Sequence, residues 1–137
     1  MILTASHTKG LELSLPATFE EIEQVCPKIQ TFLEQHQLND LSFDILLGVR
    51  EALTNAIRHG SNQDPSKEIT FSINLVQRHI VIAVTDQGPG FDWQKVMQSC
   101  SMNLEESGRG ICILGQYFDE LKFNSKGNSL ELKKRVS

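Results

Sequence analysis

The sequence predicts an α+β fold in which helices cover one face of a mostly antiparallel sheet. Two observations carry this prediction. Short segments that alternate between apolar and polar residues follow one another in hairpin order, and amphipathic segments with helical spacing are inserted between them. The predicted order is β-α-α-β-β-loop-α-β-β, and runs of hairpins with inserted helices are typical of a two-layer α+β domain.

Strand and helix signals divide the first half of the chain. Residues 11–16 alternate and end in a proline, which predicts an edge strand. Thr18 and Glu21 have the spacing of a capping box and predict a helix over 18–36. A second amphipathic helix is predicted over 42–58, where an apolar stripe would pack on the sheet.

The second half of the chain contains two predicted hairpins separated by a loop and a helix. The strand at 79–86 is apolar on both faces, as expected of a central strand. Turns are expected at Gln77–Arg78 and Gly127–Asn128. The predicted elements are strands 68–76, 79–86, 121–124 and 129–135 and helix 111–121.

Length, charge and composition restrict the classes of protein to which the chain can belong. Its 137 residues are 39% hydrophobic, which fits one domain spanning 1–137 with a buried core. The net charge of −4 argues against a nucleic-acid binder, which usually carries a basic patch. The sequence has no apolar run near the roughly 20 residues that span a bilayer, and no signal-peptide pattern at its start. We therefore expect a cytoplasmic protein that contacts neither nucleic acid nor membrane directly.

The cysteines indicate neither a zinc site nor a disulfide framework. Cys26, Cys100 and Cys112 are odd in number, widely spaced and form no C-x-x-C pair. We therefore expect three reduced, unpaired thiols.

The polar face of the second helix carries an unusual pair of side chains. Glu51 and Asn55 lie one helical turn apart within VREALTNAIRHG. Such a face is often merely solvated, but asparagine is a mediocre helix former and its place in mid-helix invites another reason. Its amide oxygen is a ligand for hard cations such as Mg²⁺, which takes few protein ligands when phosphates supply the rest. Glu51 would then be placed to accept a proton beside those phosphates.

Two glycine-containing segments suggest a ligand site. The segment DQGPG (86–90) follows the central strand, where it is either an ordinary turn or a carboxylate beside a closely approaching backbone. The segment GRG (108–110) opens the predicted third helix, where it is either a flexible join or an anion site made by free N–H groups. Neither completes G-x-G-x-x-G, and no P-loop is present, so Rossmann and P-loop nucleotide sites are excluded.

The order of these three elements is more specific than any one of them. E-x-x-x-N on a helix, D-x-G-x-G after a buried strand, a gap and G-x-G at a helix resemble the Bergerat-fold (GHKL) ATPase and kinase superfamily. EALTNAIRHG followed by DPSK, and the ending GNSLELKKR, resemble its bacterial serine-kinase and anti-sigma-factor branch, the RsbW and SpoIIAB type. The resemblance covers about residues 10–135 and implies a two-layer α/β sandwich with a mostly antiparallel, mixed sheet.

The resemblance implies a role for each motif residue. Asn55 would hold Mg²⁺, Asp86 would accept the adenine amino group, and Glu51 would be the base that activates a protein serine. A lid is implied over about 92–107. Some members carry a basic residue where this chain has Glu106, so rapid phosphoryl transfer is less firmly implied than ATP binding. The ATP-binding residues implied are Asn55, Asp86, Gly88, Gly90, Gly108, Arg109, Gly110 and Ser129.

The implied function is that of an ATP- and Mg²⁺-dependent serine/threonine protein kinase that is also an anti-sigma regulatory factor. Its implied partners are a small STAS-type anti-anti-sigma protein as substrate and a sigma factor or other regulator as bound target. A homodimer is also implied, for which the strand LELSL offers a pairing edge. Two alternatives stay open: a nucleotide-gated sequestering module with little catalysis, and an ATP-binding domain of another bacterial signalling system.

Overall fold

A computed structural model describes residues 2–5, 10–60, 64, 66–90 and 106–136, with the backbone alone for 2–5, 59–60 and 106–111. The strands are β1 (Ile2–Ala5), β2 (Gly10–Pro16), β3 (Glu68–Val76), β4 (His79–Thr85), β5 (Glu120–Phe123) and β6 (Ser129–Arg135). The helices are α1 (Glu20–Gln35), α2 (Ser42–Asn55) and α3 (Glu106–Tyr117), with a 3₁₀ turn at Asn39–Leu41 and a π-helical turn at Ala56–Gly60.

The six strands form one sheet in the order β1-β2-β3-β4-β6-β5. Every pairing within the described residues is antiparallel, so the sheet is antiparallel throughout and the expectation of a mixed sheet was wrong. The hairpin turn between β3 and β4 is confirmed, because Gln77 and Arg78 both have positive φ, of 50° and 75°. That geometry matches the right-handed twist of the flanking strands.

The core lies between one face of the sheet and the helices, which confirms the two-layer α+β prediction. The strand period of two points alternate side chains at the helices, and the helix period of 3.6 returns an apolar stripe to the sheet. The buried sheet side chains are Leu13, Leu15, Ile69, Phe71, Ile73, Ile80, Ile82, Val84, Phe123, Leu130 and Leu132. The helices contribute Ile22, Val25, Ile29, Phe32, Leu33, Ile45, Val49 and Leu53.

The N-terminal elements depart from the sequence expectation in two ways. Strand β2 is not at the edge of the sheet, because β1 pairs with it antiparallel. The capping box does not form, because the N-cap residue is Phe19 and no side chain caps the helix. Thr18 and Glu21 are therefore each displaced by one position from the sites that a capping box needs.

The second helix differs from its prediction at its end, and the third helix differs at both ends. The predicted helix over 42–58 is α-helical only to Asn55 and then continues as the π-helical turn. Helix α3 begins at Glu106, before Gly108 and Gly110, and ends at Tyr117. Glycine lowers helix propensity, which suggested a later start, but tertiary packing commonly overrides that weak preference.

Three further expectations concern the cysteine thiols, the lid and membrane-spanning helices. Cys112 is disulfide-bonded, contrary to the expectation of unpaired thiols, whereas Cys26 is free and buried. The predicted lid over about 92–107 lies outside the described residues except for its last two positions, which belong to α3. No helix in the described parts of the chain is long and apolar enough to cross a membrane.

Candidate functional site

A pocket opens where the end of α2 meets the ends of β4 and β6. Its cavity volume is about 20 Å³, far below the roughly 300–1,000 Å³ of small-molecule sites, so the described residues form a shallow cleft at this point. Ala52, Asn55 and Ala56 form the helix side, while Asp86 and Ser129 stand on the strand side. The structure therefore brings together residues that the sequence placed in two separate motifs.

Asp86 is buried in this pocket, with 8% of its surface exposed. It follows β4 directly, and its backbone N–H donates to the carbonyl of Asn128 at 2.9 Å. Its Oδ1 accepts the N–H of Gly88 at 2.7 Å, and the described residues give Oδ2 no hydrogen bond. Burial raises the pKa of the Asp86 carboxyl, although the Gly88 N–H and the charge of Lys126 oppose that rise. A partly satisfied, buried carboxylate of this kind is suited to accept a hydrogen bond from a ligand amine.

The two glycines of the Asp86 segment serve different purposes. Gly88 contributes the N–H that holds the Asp86 carboxylate. Gly90 has a φ of +83°, and a Cβ on it would lie 1.8 Å from the carbonyl oxygen of Lys126. Gly90 is therefore required by the close approach of the β5–β6 turn, a contact within the protein.

Ser129 lines the pocket, but its hydroxyl is already paired. Its Oγ lies 2.9 Å from Oγ1 of Thr85 on the neighbouring strand. Thr85 and Ser129 are register partners in β4 and β6. A ligand contact through the Ser129 hydroxyl would therefore have to share that hydrogen bond.

Asn55 stands at the point where α2 changes from α-helical to π-helical geometry. Single π-helical turns are rare and frequently mark functional sites, because they shift the register of the side chains around them. The Asn55 amide lines the pocket, and the described residues offer it no hydrogen bond. Among the described residues, its oxygen is therefore open to a ligand.

Glu51 lies one turn before Asn55 and is half-exposed. It does not line the pocket, and no described residue forms a hydrogen bond or ion pair with its carboxylate. The structure thus unites Asn55 with Asp86 and leaves Glu51 beside the pocket, facing solvent in part.

The residues fit a metal only if a ligand supplies most of the coordination. In the described ranges there is no group of three or more His, Cys, Asp or Glu side chains able to hold a metal ion. Asn55 is a single neutral oxygen donor, and Mg²⁺ commonly binds one or two protein oxygens together with phosphates and water. A Mg²⁺–nucleotide complex fits this arrangement.

The second glycine segment begins in the first turn of α3 and runs into the second. Gly108, Arg109 and Gly110 follow the helix start at Glu106, and the side chain of Arg109 is outside what the structure describes. First-turn N–H groups have no partner within a helix and attract anions. Helix α3 packs on α2, and just beyond its end Phe118 lies so close to Gly48 that a Cβ there would be 2.3 Å from the ring.

Sequence reasoning missed two asparagines in the β5–β6 turn. Asn128 lines the pocket, and its side chain donates to the carbonyls of Asp86 at 3.2 Å and Gly88 at 3.5 Å. Asn124 holds the turn itself through its side chain. The repeat of asparagine before the last strand was the available signal, but it is also typical of ordinary turns.

Comparison with known proteins identifies the family of the chain. Residues 15–134 match the family described as "Histidine kinase-like ATPase domain". The chain is 31% identical over 91 residues to the serine-protein kinase RsbW of Oceanobacillus iheyensis, covering 61% of this chain and 58% of that protein. It is 34% identical over 96 residues to the anti-sigma F factor of Geobacillus kaustophilus, covering 65% of this chain and 66% of the relative. With the anti-sigma F factor of Clostridium perfringens it shares 32% over 101 residues, 69% of this chain and 72% of that one.

Proposed function

The chain belongs to the histidine kinase-like ATPase domain family, and from that premise we propose that it is an ATP- and Mg²⁺-dependent serine/threonine protein kinase and anti-sigma factor. One observation carries the proposal. A buried carboxylate, Asp86, and the amide of Asn55, to which the described residues give no hydrogen bond, line one pocket at the end of α2. A nucleotide needs both kinds of group on opposite sides of one site: a carboxylate for the adenine ring and an amide oxygen for the metal on its phosphate chain.

Asp86 would recognise the adenine. Its Oδ1 is held by the Gly88 N–H, so Oδ2 would receive the 6-amino group of the base. Hydrogen bonds to a charged acceptor in a desolvated site are stronger than neutral ones, which gives the pocket its preference for a base that carries an amine. Val84 and Leu130 supply apolar surface on the floor of the pocket.

Asn55 and the first turn of α3 would hold the phosphates. The Asn55 oxygen would bind Mg²⁺, whose charge supports phosphoryl transfer by offsetting the charge on the phosphate oxygens. The free first-turn N–H groups of α3, that of Gly108 among them, would contact those oxygens directly, and Arg109 and Gly110 would line the phosphates beside them. Phosphoryl transfer depends mainly on positioning and electrostatic stabilisation, and the family's site provides both without covalent chemistry.

Glu51 would act on the incoming serine. Its carboxylate is half-exposed and has no partner in the described residues, so a protein hydroxyl can approach it from solvent. A relative named serine-protein kinase supports this chemistry. Glu51 lies beside the pocket and outside its lining, so this carboxylate would act on the serine without contacting the nucleotide.

The names of the relatives support one of the two proposed partners. Proteins similar to this chain are anti-sigma F factors, so the proposed bound target is a sigma factor. The proposed substrate, a small STAS-type antagonist, rests on the sequence resemblance alone. We also propose a cytoplasmic homodimer of one-domain chains. Because β1 covers β2, the dimer cannot use the free β2 edge that the sequence suggested. A monomer by light scattering at tens of micromolar would contradict the dimer.

A second candidate is a nucleotide-gated sequestering module with little catalysis. One observation favours it: Glu106 occupies a position where some family members carry a basic residue. Such a module would bind ATP and a regulator in the same way but transfer no phosphate.

One experiment separates the two candidates. Wild type and Glu51→Gln are incubated with labelled ATP and a STAS-type protein, and ATP affinity is measured in parallel. The kinase proposal expects phosphorylation by wild type and a loss of roughly 10²–10⁴-fold in Glu51→Gln, the range for a positioned base, with ATP affinity unchanged. Glu34→Gln, an exposed change on α1, serves as the control. Absence of transfer in wild type would favour the sequestering module.

A further inference from the structure

The pocket's Asp86 segment is fastened to a second loop, the turn that joins β5 to β6. The backbone N–H of Asp86 donates to Asn128 O at 2.9 Å. In return, Asn128 Nδ2 donates to Asp86 O at 3.2 Å and to Gly88 O at 3.5 Å. The two loops are therefore held by hydrogen bonds in both directions, and Gly90 lies against the same turn.

Asn124 fixes the conformation of that turn. Its Oδ1 accepts the N–H groups of Gly127 at 2.8 Å, Asn128 at 3.0 Å and Ser129 at 3.2 Å. Its Nδ2 donates to Asn128 Oδ1 at 2.7 Å. Because Asn128 Oδ1 is occupied by this donor, the amide of Asn128 must turn its Nδ2 towards the Asp86 segment.

We infer that Asn128, oriented by Asn124, is a positioning residue for recognition of the purine 6-amino group. The inference rests on the proposed function and identifies what aims the carboxylate of Asp86. The backbone carbonyl of Asn128 accepts the N–H of Asp86, and its side-chain amide donates to the C=O of Asp86. With the backbone fixed at both ends and Oδ1 held by Gly88, Oδ2 is the oxygen left to face the ligand.

Asn128 would act through Asp86 and would not need to touch the base. Loss of its amide leaves the carbonyls of Asp86 and Gly88 without a side-chain donor from the described residues, inside a half-buried loop. Those carbonyls would then turn towards water, and the Asp86 carboxylate would turn with them. The nucleotide's phosphates are bound by other elements, so selectivity for the base should change more than binding of the phosphate chain.

The test compares ATP with inosine triphosphate, which carries an oxygen in place of the 6-amino group. Affinities for both nucleotides are measured for wild type, Asn128→Ala and Asn128→Asp. The expected result is that the preference for ATP falls about tenfold in both variants, equivalent to the loss of about one hydrogen bond. Asn74→Ala, on the sheet face away from the helices, should leave the preference unchanged.

A double-mutant cycle separates positioning from general stability. If Asn128 acts through Asp86, adding Asn128→Ala to Asp86→Asn should change the preference little, whereas independent effects would multiply. Should the Asn128 variants fail to fold, Asn124→Asp replaces them, because it keeps the acceptor for the turn's N–H groups and loses only the donor to Asn128. That variant should also lower the preference for ATP.

The outcomes distinguish failure of the proposed function from failure of the positioning role of Asn128. Wild type that binds no ATP overturns the proposed function and this inference with it. Wild type that prefers ATP, together with an unchanged preference in the folded variants or multiplicative effects in the cycle, overturns the inference alone.

Discussion

The two sides of the pocket are built differently. On the base side, Asp86, Gly88 and the asparagines of the β5–β6 turn hydrogen-bond to one another, leaving one carboxylate oxygen for a ligand. On the phosphate side, the described residues offer the side chain of Asn55 no partner. Under the proposed function, the fold itself completes the base side, whereas a nucleotide and its metal would complete the phosphate side.

This division has a physical reason. An adenine ring is rigid and largely neutral, so a fixed arrangement of one acceptor and apolar walls recognises it at little cost in ordering. A phosphate chain with Mg²⁺ brings its own charge and coordination requirements, so the protein needs to add only a few oxygen ligands and free N–H groups. Changes on the two sides should therefore have separable effects.

The largest expected effect is on the phosphate side. Asn55→Ala removes the proposed metal ligand and should abolish the Mg²⁺-dependent part of ATP binding. Titration of ATP with Mg²⁺ and with a chelator measures that part, and Asn39→Ala in the surface 3₁₀ turn is the control. Mg²⁺ that strengthens ATP binding equally in the variant and in wild type would show that Asn55 is not the ligand.

The next largest effect is on the base side. Asp86→Asn should weaken ATP binding by about 10–100-fold, the loss of one charged hydrogen bond. Folding stability at neutral pH should not fall. Because burial raises the pKa of Asp86 in the folded state, its stabilising contribution is present below the ordinary pKa and is lost as pH rises through the folded value. Denaturant unfolding of both proteins checks this, and a large loss of stability in the variant would contradict it.

A smaller effect, on folding stability, should show whether the contact between Gly90 and the β5–β6 turn matters beyond the general cost of replacing a glycine. Gly90→Ala should destabilise the fold by about 1–3 kcal/mol, because its φ is +83° and a Cβ would meet the Lys126 carbonyl. Gly115→Ala is the matched control: it lies within α3 with open space around it, so it should stabilise by about 0.5–1 kcal/mol. Thermal unfolding measures both, and equal shifts would show that the contact with the turn does not matter.

The smallest expected effect is a pH dependence of nucleotide binding. ATP affinity should decline as the pH falls through the raised pKa of Asp86, beginning above the ordinary value of 3.8. The protonated carboxyl can no longer accept at both oxygens. Asp86→Asn should flatten this part of the profile, and an unchanged slope in the variant would assign the titration to another group.

The sequence predicted most of the fold because its signals were local. The strands at 68–76 and 129–135 have the predicted bounds, since alternation and turn residues specify them directly. Strand β1 was missed because four residues carry too little pattern. The start of α3 and the π-helical turn were missed because each depends on packing against other elements, which local propensity does not encode.

The candidate site was predicted only in part, for a related reason. Asp86 and Asn55 were found because each lies in a compact motif, and the structure places both in one pocket. The proposed roles of these residues remain predictions. Asn128 was overlooked because its partner, Asp86, is distant in sequence and only the pairing of β4 with β6 brings them together.

Binding of adenosine, which has the base but no phosphates, tests the central claim most directly. Calorimetric titration is performed on wild type, Asn55→Ala and Asp86→Asn, each with and without Mg²⁺. If the fold alone completes the base side, adenosine should bind wild type and Asn55→Ala equally, show no response to Mg²⁺ and bind Asp86→Asn about 10–100-fold more weakly. Two results would contradict the account. One is that adenosine binds Asp86→Asn as tightly as wild type, and the other is that it loses as much affinity in Asn55→Ala as in Asp86→Asn.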